Sequence, residues 1–377
     1  MLGVTATASA AAAARTHGGN PWAAARAQGR GARELLDFSV DLNPCGYPPS
    51  VRRLILEHLD DIQRYPDPSA TAMREAIAAS HGIAAAEILV GNGSAELIAL
   101  LPRLFPAARA VVASPTFSEY AWAVEQAGGF VEHLCATETS AFHFEWTESF
   151  WRRRLAAADA VFLCNPNNPT GALVPREQVW QLAGWCRDAG ARLIVDEAFL
   201  DFVAQPASYS VAADIRRFDN LIVLRSFTKS FAIPGLRLGY LAASEPLVDI
   251  LRAAQPPWPL NAFALAVGPA LLQEHEHLEG SRREIAGLRR QLSEALGRLA
   301  GCYPYPSTTN FFLCRLAHPA PSSSELTDRL AGRGILIRNG DSFHGLEPGR
   351  FIRVAVRSQE DNARLVSALE EIVRHAG

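Results

Sequence analysis

Residues 221–242 read "LIVLRSFTKSFAIPGLRLGYLA": two short apolar runs, "LIVLR" and "LGYLA", stand on either side of a polar turn that carries Lys229. Runs of four to six β-branched or leucine-rich residues bounded by turn residues predict buried strands. Working outward, the pattern recurs as "EILVG" near 87, "AVVAS" at 110, "AVFLC" at 160 and "RLIVD" at 192, with room for a helix between runs. This alternation predicts an α/β fold with a mostly parallel central sheet flanked by helices. In open parallel sheets ligands collect beyond the carboxyl ends of the strands, so the residues after each run are where chemistry is sought.

The 377 residues exceed the usual size of one core, and a second, smaller α+β domain is expected after the sheet. Residues 261 to 300, rich in Ala, Leu, Glu and Arg at helical spacing, predict one long connecting helix. Beyond it "NFFLCRL", "GILIR" and "FIRVAVR" predict strands of a second sheet, and "DNARLVSALEEIVRHA" an amphipathic helix with Asp361 near its start. The expected organisation is a disordered tail at 1–16, a segment at 17–50 joining the small domain to the active site, a large domain at 51–260, and the connecting helix with the small domain at 261–377.

Charged residues make up 20% and the formal net charge is −3, which offers no field for gripping nucleic acid or an anionic membrane. Six cysteines lie scattered without C-x-x-C or metal-ligand spacing, which predicts reduced thiols, no metal and a cytoplasmic protein. "MLGVTATASAAAAAR" lacks the basic start of an export signal, and no run of about 18 strongly apolar residues occurs.

Of the 36 basic residues, Lys229 is the one lysine. A guanidinium stays protonated, whereas an ε-amine deprotonated by its surroundings attacks a carbonyl to form a Schiff base. Codon bias that spared one surface lysine is the alternative reading. The other post-strand residues bear on the choice. "GNGSAEL" offers backbone N–H groups and the Ser94 hydroxyl to an anion, although glycine turns before helices are common. In "NPNNPTG" a rigid turn orients the Asn168 amide, which an Asx turn would equally explain. Asp196 ends "RLIVD", where its carboxylate could keep a pyridine nitrogen protonated or simply cap a helix. Ser226, Thr228 and Arg237 surround the lysine with two hydroxyls and a cation, the makings of a phosphate cup.

In this order and spacing, over nearly the whole chain, the motifs resemble those of the fold-type I pyridoxal-phosphate enzymes, the aminotransferase superfamily. The resemblance implies pyridoxal 5'-phosphate as cofactor, with Lys229 as the Schiff-base lysine, Asp196 on the pyridinium nitrogen, Asn168 on the ring oxygen and Phe117 stacked on the ring. Ser94, Ala95, Ser226, Thr228 and Arg237 would hold the phosphate. Tyr65 in "RYPDP" would reach that phosphate from a neighbouring subunit, which implies a homodimer, and Arg353 in "FIRVAVR" would grip the substrate carboxylate.

Within the superfamily the chain resembles the threonine-phosphate decarboxylases of cobalamin biosynthesis, through "HGGN" at 17–20, "LLDFSVDLNPCGYP", "PPWPLNAFAL" and "ILIRNGDSFHGLEPGRFIRVAVRS". Phe199 in "DEAF" stands where the related histidinol-phosphate aminotransferases carry tyrosine. The implied reaction is decarboxylation of L-threonine O-3-phosphate to aminopropanol phosphate, a carboxy-lyase activity. His17, Gly18, Asn43, Asn168, Arg338 and Arg353 are the expected substrate contacts, because a guanidinium binds two oxygens of a carboxylate or phosphate at once. The rival readings are an aminotransferase for histidinol phosphate or an aromatic amino acid, and a cofactor-binding regulatory module. Against the module, only about 35 residues precede the enzyme-like body, few for a DNA-binding domain.

Overall fold

In chain order the strands are β1 (Leu36–Asp37), β2 (Ile88–Asn92), β3 (Arg109–Ser114), β4 (Phe130–Cys135), β5 (Ala160–Cys164), β6 (Arg192–Asp196), β7 (Leu221–Ser226), β8 (Leu238–Ala242), β9 (Cys302–Pro304), β10 (Phe311–Leu316), β11 (Ile335–Leu336), β12 (Arg338–Asn339) and β13 (Phe351–Ala355). They are seen in a computed structural model that describes residues 18–317 and 321–374. The central sheet has the order β2-β8-β7-β6-β5-β3-β4, and β8 alone runs against its neighbours. Helices cover both faces, so successive residues of one strand enter different cores. Leu193 and Val195 of β6 join one apolar cluster and Ile194 the other. Burial on both sides is why the middle of each of these strands is a continuous apolar run, and each such side chain contributes about 2 kcal/mol.

Strand β4 has no counterpart among the apolar runs of the sequence. It sits at the edge of the sheet, with Leu134 its one buried residue and Phe130 60% exposed. One-sided burial replaces the continuous run by alternation, and the pattern sought for central strands passes it over.

The smaller domain holds a four-stranded sheet, β12-β13-β10-β9, against the helices His275–Arg298, Ser323–Gly332 and Gln359–Arg374. Two expectations are corrected. Residues 261–300 form two helices, Ala262–Leu271 and His275–Arg298, rather than one. The first contains Pro269, and the break at residues 272–274 is tied down by Ser50 Oγ, which donates to Glu274 Oε1 at 2.5 Å. "GILIR" also serves two sheets: β11 pairs in parallel with β1, whereas β12 pairs antiparallel with β13.

The β1–β11 pair draws the amino-terminal segment onto the small domain, where Phe38 is fully buried in its core. A few residues on, the Asn43 N–H donates to the Lys229 carbonyl at 3.0 Å. Residues 36–43 thus run from the small sheet to the lysine, and the cavity described next lies along their path. Among the described residues no helix is long and apolar enough to cross a membrane, and all six cysteines are free thiols.

Candidate active site

Strands β5, β6 and β7 end side by side in register, Cys164 beside Asp196 and Asp196 beside Leu224, so the residues that close them open on one cavity of about 240 Å³. Asp196 lies at its floor. Its Oδ2 accepts the Tyr120 hydroxyl at 2.7 Å and its Oδ1 the Ala198 N–H at 2.9 Å. Burial pushes this carboxyl above its usual range, while the Tyr120 and Ala198 hydrogen bonds and the Lys229 charge pull the other way. Behind it, Arg225 of β7 joins Glu197 at 3.0 Å and Asp201 at 2.5 Å, which locks the ends of β6 and β7 together.

Lys229 follows β7 in the one-turn helix Phe227–Ser230 and lines the cavity. Burial lowers its proton affinity; Arg353 and Arg237 add to that effect, and Asp41 and Asp196 oppose it. A lysine held toward its neutral form is the nucleophile that carbonyl chemistry needs.

On one side of the lysine is a set of anion donors. Ser226 Oγ and Thr228 Oγ1 are 2.7 Å apart and bond each other. Arg237 donates a single long bond, 3.4 Å, to the Pro234 carbonyl. Ser94 and Ala95 open the helix Ser94–Leu100 with their N–H groups at the cavity. Two glycines make this close packing possible. At φ +75°, Gly93 lies where a Cβ would meet Arg237 Nη2 at 2.5 Å, and at Gly239 a Cβ would meet the Ser94 nitrogen at 2.7 Å. Phe117 also lines the cavity, edge-on to Tyr120 at 5.7 Å. A solvent-exposed guanidinium, two mutually paired hydroxyls and a helix start fit a phosphate; a neutral-leaning lysine, a buried carboxylate and an aromatic ring in the same cavity fit the pyridine aldehyde attached to it.

On the other side Arg338 and Arg353 are direct partners across the β12–β13 ladder. Arg353 Nη1 reaches Asp41 Oδ2 at 2.8 Å and Asn168 Oδ1 at 2.5 Å, Nη2 donates to the Ser39 carbonyl at 2.7 Å, and the guanidinium lies 5.3 Å from the Phe311 ring centre. Arg338 donates to Ser342 Oγ at 2.6 Å over the Phe343 ring, and burial together with the Arg353 charge pushes it down to about 10.

The structure therefore gathers Gly18, Ser94, Ala95, Phe117, Asn168, Asp196, Ser226, Thr228, Lys229, Arg237, Arg338 and Arg353 around one cavity, with Phe199 in its wall. It does not bring Asn43 there. That side chain donates to the Ser230 carbonyl at 2.8 Å and to Ser281 Oγ at 2.9 Å and accepts the Cys45 N–H, so its capacity is spent bracing the lysine segment from behind. Tyr65 is 81% exposed, tilted against Trp258 with ring centres 4.6 Å apart, and lies off the cavity of its own chain. His17 lies outside the described residues. Asp41 and Tyr120 are site residues the sequence reading missed. Asp41 stands inside "LLDFSVDLNPCGYP" and Tyr120 three residues after Phe117, and only their contacts set them apart.

The family described as aminotransferase class I and II has a model that matches residues 33–369. The chain belongs to that family. Among its relatives is the threonine-phosphate decarboxylase of Salmonella typhimurium, 35% identical over 95% of this chain and 96% of that protein. A histidinol-phosphate aminotransferase of Desulfitobacterium hafniense is 33% identical over 90% of this chain and 92% of its own. The adenosylcobalamin biosynthesis bifunctional protein CobDQ of Leptospira interrogans is 28% identical over 94% of this chain and 41% of its own length. Of solved structures, the L-threonine-O-3-phosphate decarboxylase from Porphyromonas gingivalis superposes with a TM-score of 0.77 at 27% identity, covering 88% of this chain and all of that one.

Proposed function

We propose that this member of the family is a pyridoxal-phosphate-dependent decarboxylase that converts L-threonine O-3-phosphate to (R)-1-amino-2-propanol O-2-phosphate and carbon dioxide, in the cytoplasm, for cobalamin biosynthesis. The observation that carries the reading is the pair of guanidiniums, Arg338 and Arg353, adjacent across β12–β13 and facing the lysine cavity. Two cations suit a substrate with two anionic ends. Phosphothreonine brings a carboxylate and a phosphate to the pair in one molecule, whereas histidinol phosphate brings a phosphate alone and leaves the other guanidinium to the 2-oxo acid of a second half-reaction.

Lys229, Asp196, Asn168 and Phe117 are the residues suited to hold the cofactor ring, and Ser94, Ala95, Ser226, Thr228 and Arg237 its phosphate. When bound, pyridoxal phosphate supplies a carbonyl carbon for the substrate amine and a protonated ring that accepts the electron pair left by carbon dioxide. Asp196, held by Tyr120 and Ala198, keeps that ring nitrogen protonated. Arg353 would grip the α-carboxylate and so orient the Cα–carboxylate bond for cleavage, while Arg338 would take the phosphate. Lys229 would hold the cofactor through its amine and, once free, would return a proton to Cα after carbon dioxide has left.

Tyr65, exposed beside Trp258, is the residue we assign to the cofactor phosphate of a second copy, which makes the working unit a homodimer. Mixing two inactive variants, Tyr65→Ala and Lys229→Ala, should restore part of the activity through one intact hybrid site; no recovery despite subunit exchange would refute the sharing.

The reaction is tested by supplying O-phosphothreonine alone. Carbon dioxide should appear over many turnovers with no 2-oxo acid present. Oxo-acid-dependent turnover of histidinol phosphate, without carbon dioxide from phosphothreonine, would replace this reading by the aminotransferase one.

A further inference from the structure

The proposed substrate brings its carboxylate to an arginine that already holds one. Asp41 Oδ2 lies 2.8 Å from Arg353, and the pair is buried, at 3% and 5% exposure. Its other oxygen, Oδ1, has no hydrogen-bond partner, and neither does Arg353 Nε. The charged groups that bear on Asp41 are Arg353 from β13, Arg338 from β12, Lys229 from the turn after β7 and Asp37 from β1.

We propose that Asp41 is an internal stand-in for the substrate carboxylate: it occupies Arg353 in the empty site, gives the guanidinium up to the incoming acid, and takes one proton from solvent as it does so. The neutral carboxyl then donates a hydrogen bond to the bound acid. When carbon dioxide departs, Arg353 returns to Asp41 and the proton is released. The inference rests on the decarboxylase reading for the identity of the acid, and adds to it a specificity-determining residue.

Two charged carboxylates sharing one buried guanidinium repel, and in a site closed to water one of them is neutralised. The incoming acid, now paired with the guanidinium, stays ionised, and Asp41, which has given that partner up, takes the proton. Burial already pushes Asp41 above the usual carboxylate range, against the pull of Arg353, Lys229 and Arg338. Loss of Arg353 as a partner leaves burial less opposed. Proton affinity at Asp41 is thus higher in the bound state than in the free one, so binding takes up a proton and weakens as pH rises.

The test uses two ligands that lack an amine and do not react: 3-phosphooxybutanoate, with both anionic ends, and isopropyl phosphate, with the phosphate alone. Titration calorimetry of the holoenzyme near pH 8, in buffers of different ionisation enthalpy, counts protons. Relative to isopropyl phosphate, the carboxylate-bearing ligand should take up close to one more proton per site. Its Kd should rise about ten-fold per pH unit between the free-state and the bound-state titrations of Asp41, the limit for one linked proton. Asp41→Asn should abolish both the extra proton and the pH slope and bind the carboxylate ligand about ten-fold more tightly at high pH. Equal proton counts for the two ligands in the wild type, or an unchanged slope in a folded Asp41→Asn, would overturn the proposal. If the variant does not fold, the two-ligand comparison in the wild type still decides. Failure of phosphothreonine to release carbon dioxide would refute the decarboxylase reading alone, since neither test ligand turns over.

Discussion

On the side of the cavity assigned to the cofactor, Arg237 has a single 3.4 Å bond to a carbonyl, whereas on the substrate side Arg353 is held at 2.8 Å by a carboxylate and at 2.5 Å by an amide. Both arginines face the same lysine. The first is exposed to solvent, where water completes its hydrogen bonds until an anion replaces it. The second is neutralised from within, as suits an anion that must arrive and leave in every turnover. A buried cation with its own exchangeable counter-ion holds its position between ligands and avoids the several kcal/mol that an unpaired buried charge costs. The difference teaches that the strength of an ion pair in the empty site is no measure of its use: the tighter pair is the one built to open.

Five substitutions would break or sharpen this contrast. The largest effect falls on the lysine that both sides share. Lys229→Arg keeps the charge and removes the nucleophile, and turnover should fall by at least about 10⁴-fold. Because the chain has no other lysine, borohydride reduction of the wild type should place the cofactor mass on the Lys229 peptide alone; any other peptide carrying it would end the assignment.

Next is Arg353→Ala, which both frees the substrate carboxylate and strands Asp41. We expect kcat/KM to drop by about 10²- to 10³-fold through kcat and KM together, with about 3 kcal/mol lost from the empty protein's stability. Loss of stability with kcat and KM unchanged would make the arginine a structural residue only. Arg338→Ala should spare the empty protein more and act chiefly on the preference for phosphothreonine over threonine.

A smaller effect belongs to the cofactor side alone. Gly239→Ala places a methyl 2.7 Å from the Ser94 nitrogen and must shift the helix start. Cofactor affinity, followed by equilibrium dialysis, should weaken about ten-fold while the substrate KM at saturating cofactor changes little. An equal loss on both sides would show that the two halves are not independent.

The smallest effect on catalysis is expected behind both halves, at His81. Its Nε2 lies 2.6 Å from the Tyr240 hydroxyl, and burial with the Arg225 charge lowers it from 6.5 to about 4. The unfolded chain binds this proton first. Stability is therefore full above pH 6.5 and falls as pH drops toward 4, by about 2–3 kcal/mol from this group. His81→Phe should flatten that part of a urea-denaturation series and leave the pH dependence of carboxylate-ligand binding, assigned to Asp41, where it was.

Most of the fold was legible because it rests on local pattern. Six of the seven central strands are continuous apolar runs, since both faces are covered, while edge strand β4 escaped for the opposite reason. The cofactor side was legible too. Ser94, Asn168, Asp196 and Ser226 each follow a strand closely, and parallel strands deliver such residues to one edge whatever the loops between them do.

What the sequence by itself determined is this supply of groups: the order of strands and helices, one lysine able to form a covalent bond, and polar residues at the strand ends. What only the tertiary structure decided is which groups meet. The Ser39 carbonyl and Arg353 are 314 positions apart, and Asn43 and Ser281 are 238 apart, yet each pair is in hydrogen-bond contact. Asp41 and Asn43 are two residues apart in one stretch, but the chain turns Asp41 to the cavity and Asn43 to the back of the lysine segment. Local propensity carries no information on that choice, because it is made by the packing of β1 on β11 and of Phe38 in the small core, which sets the direction from which residues 39–43 cross the site.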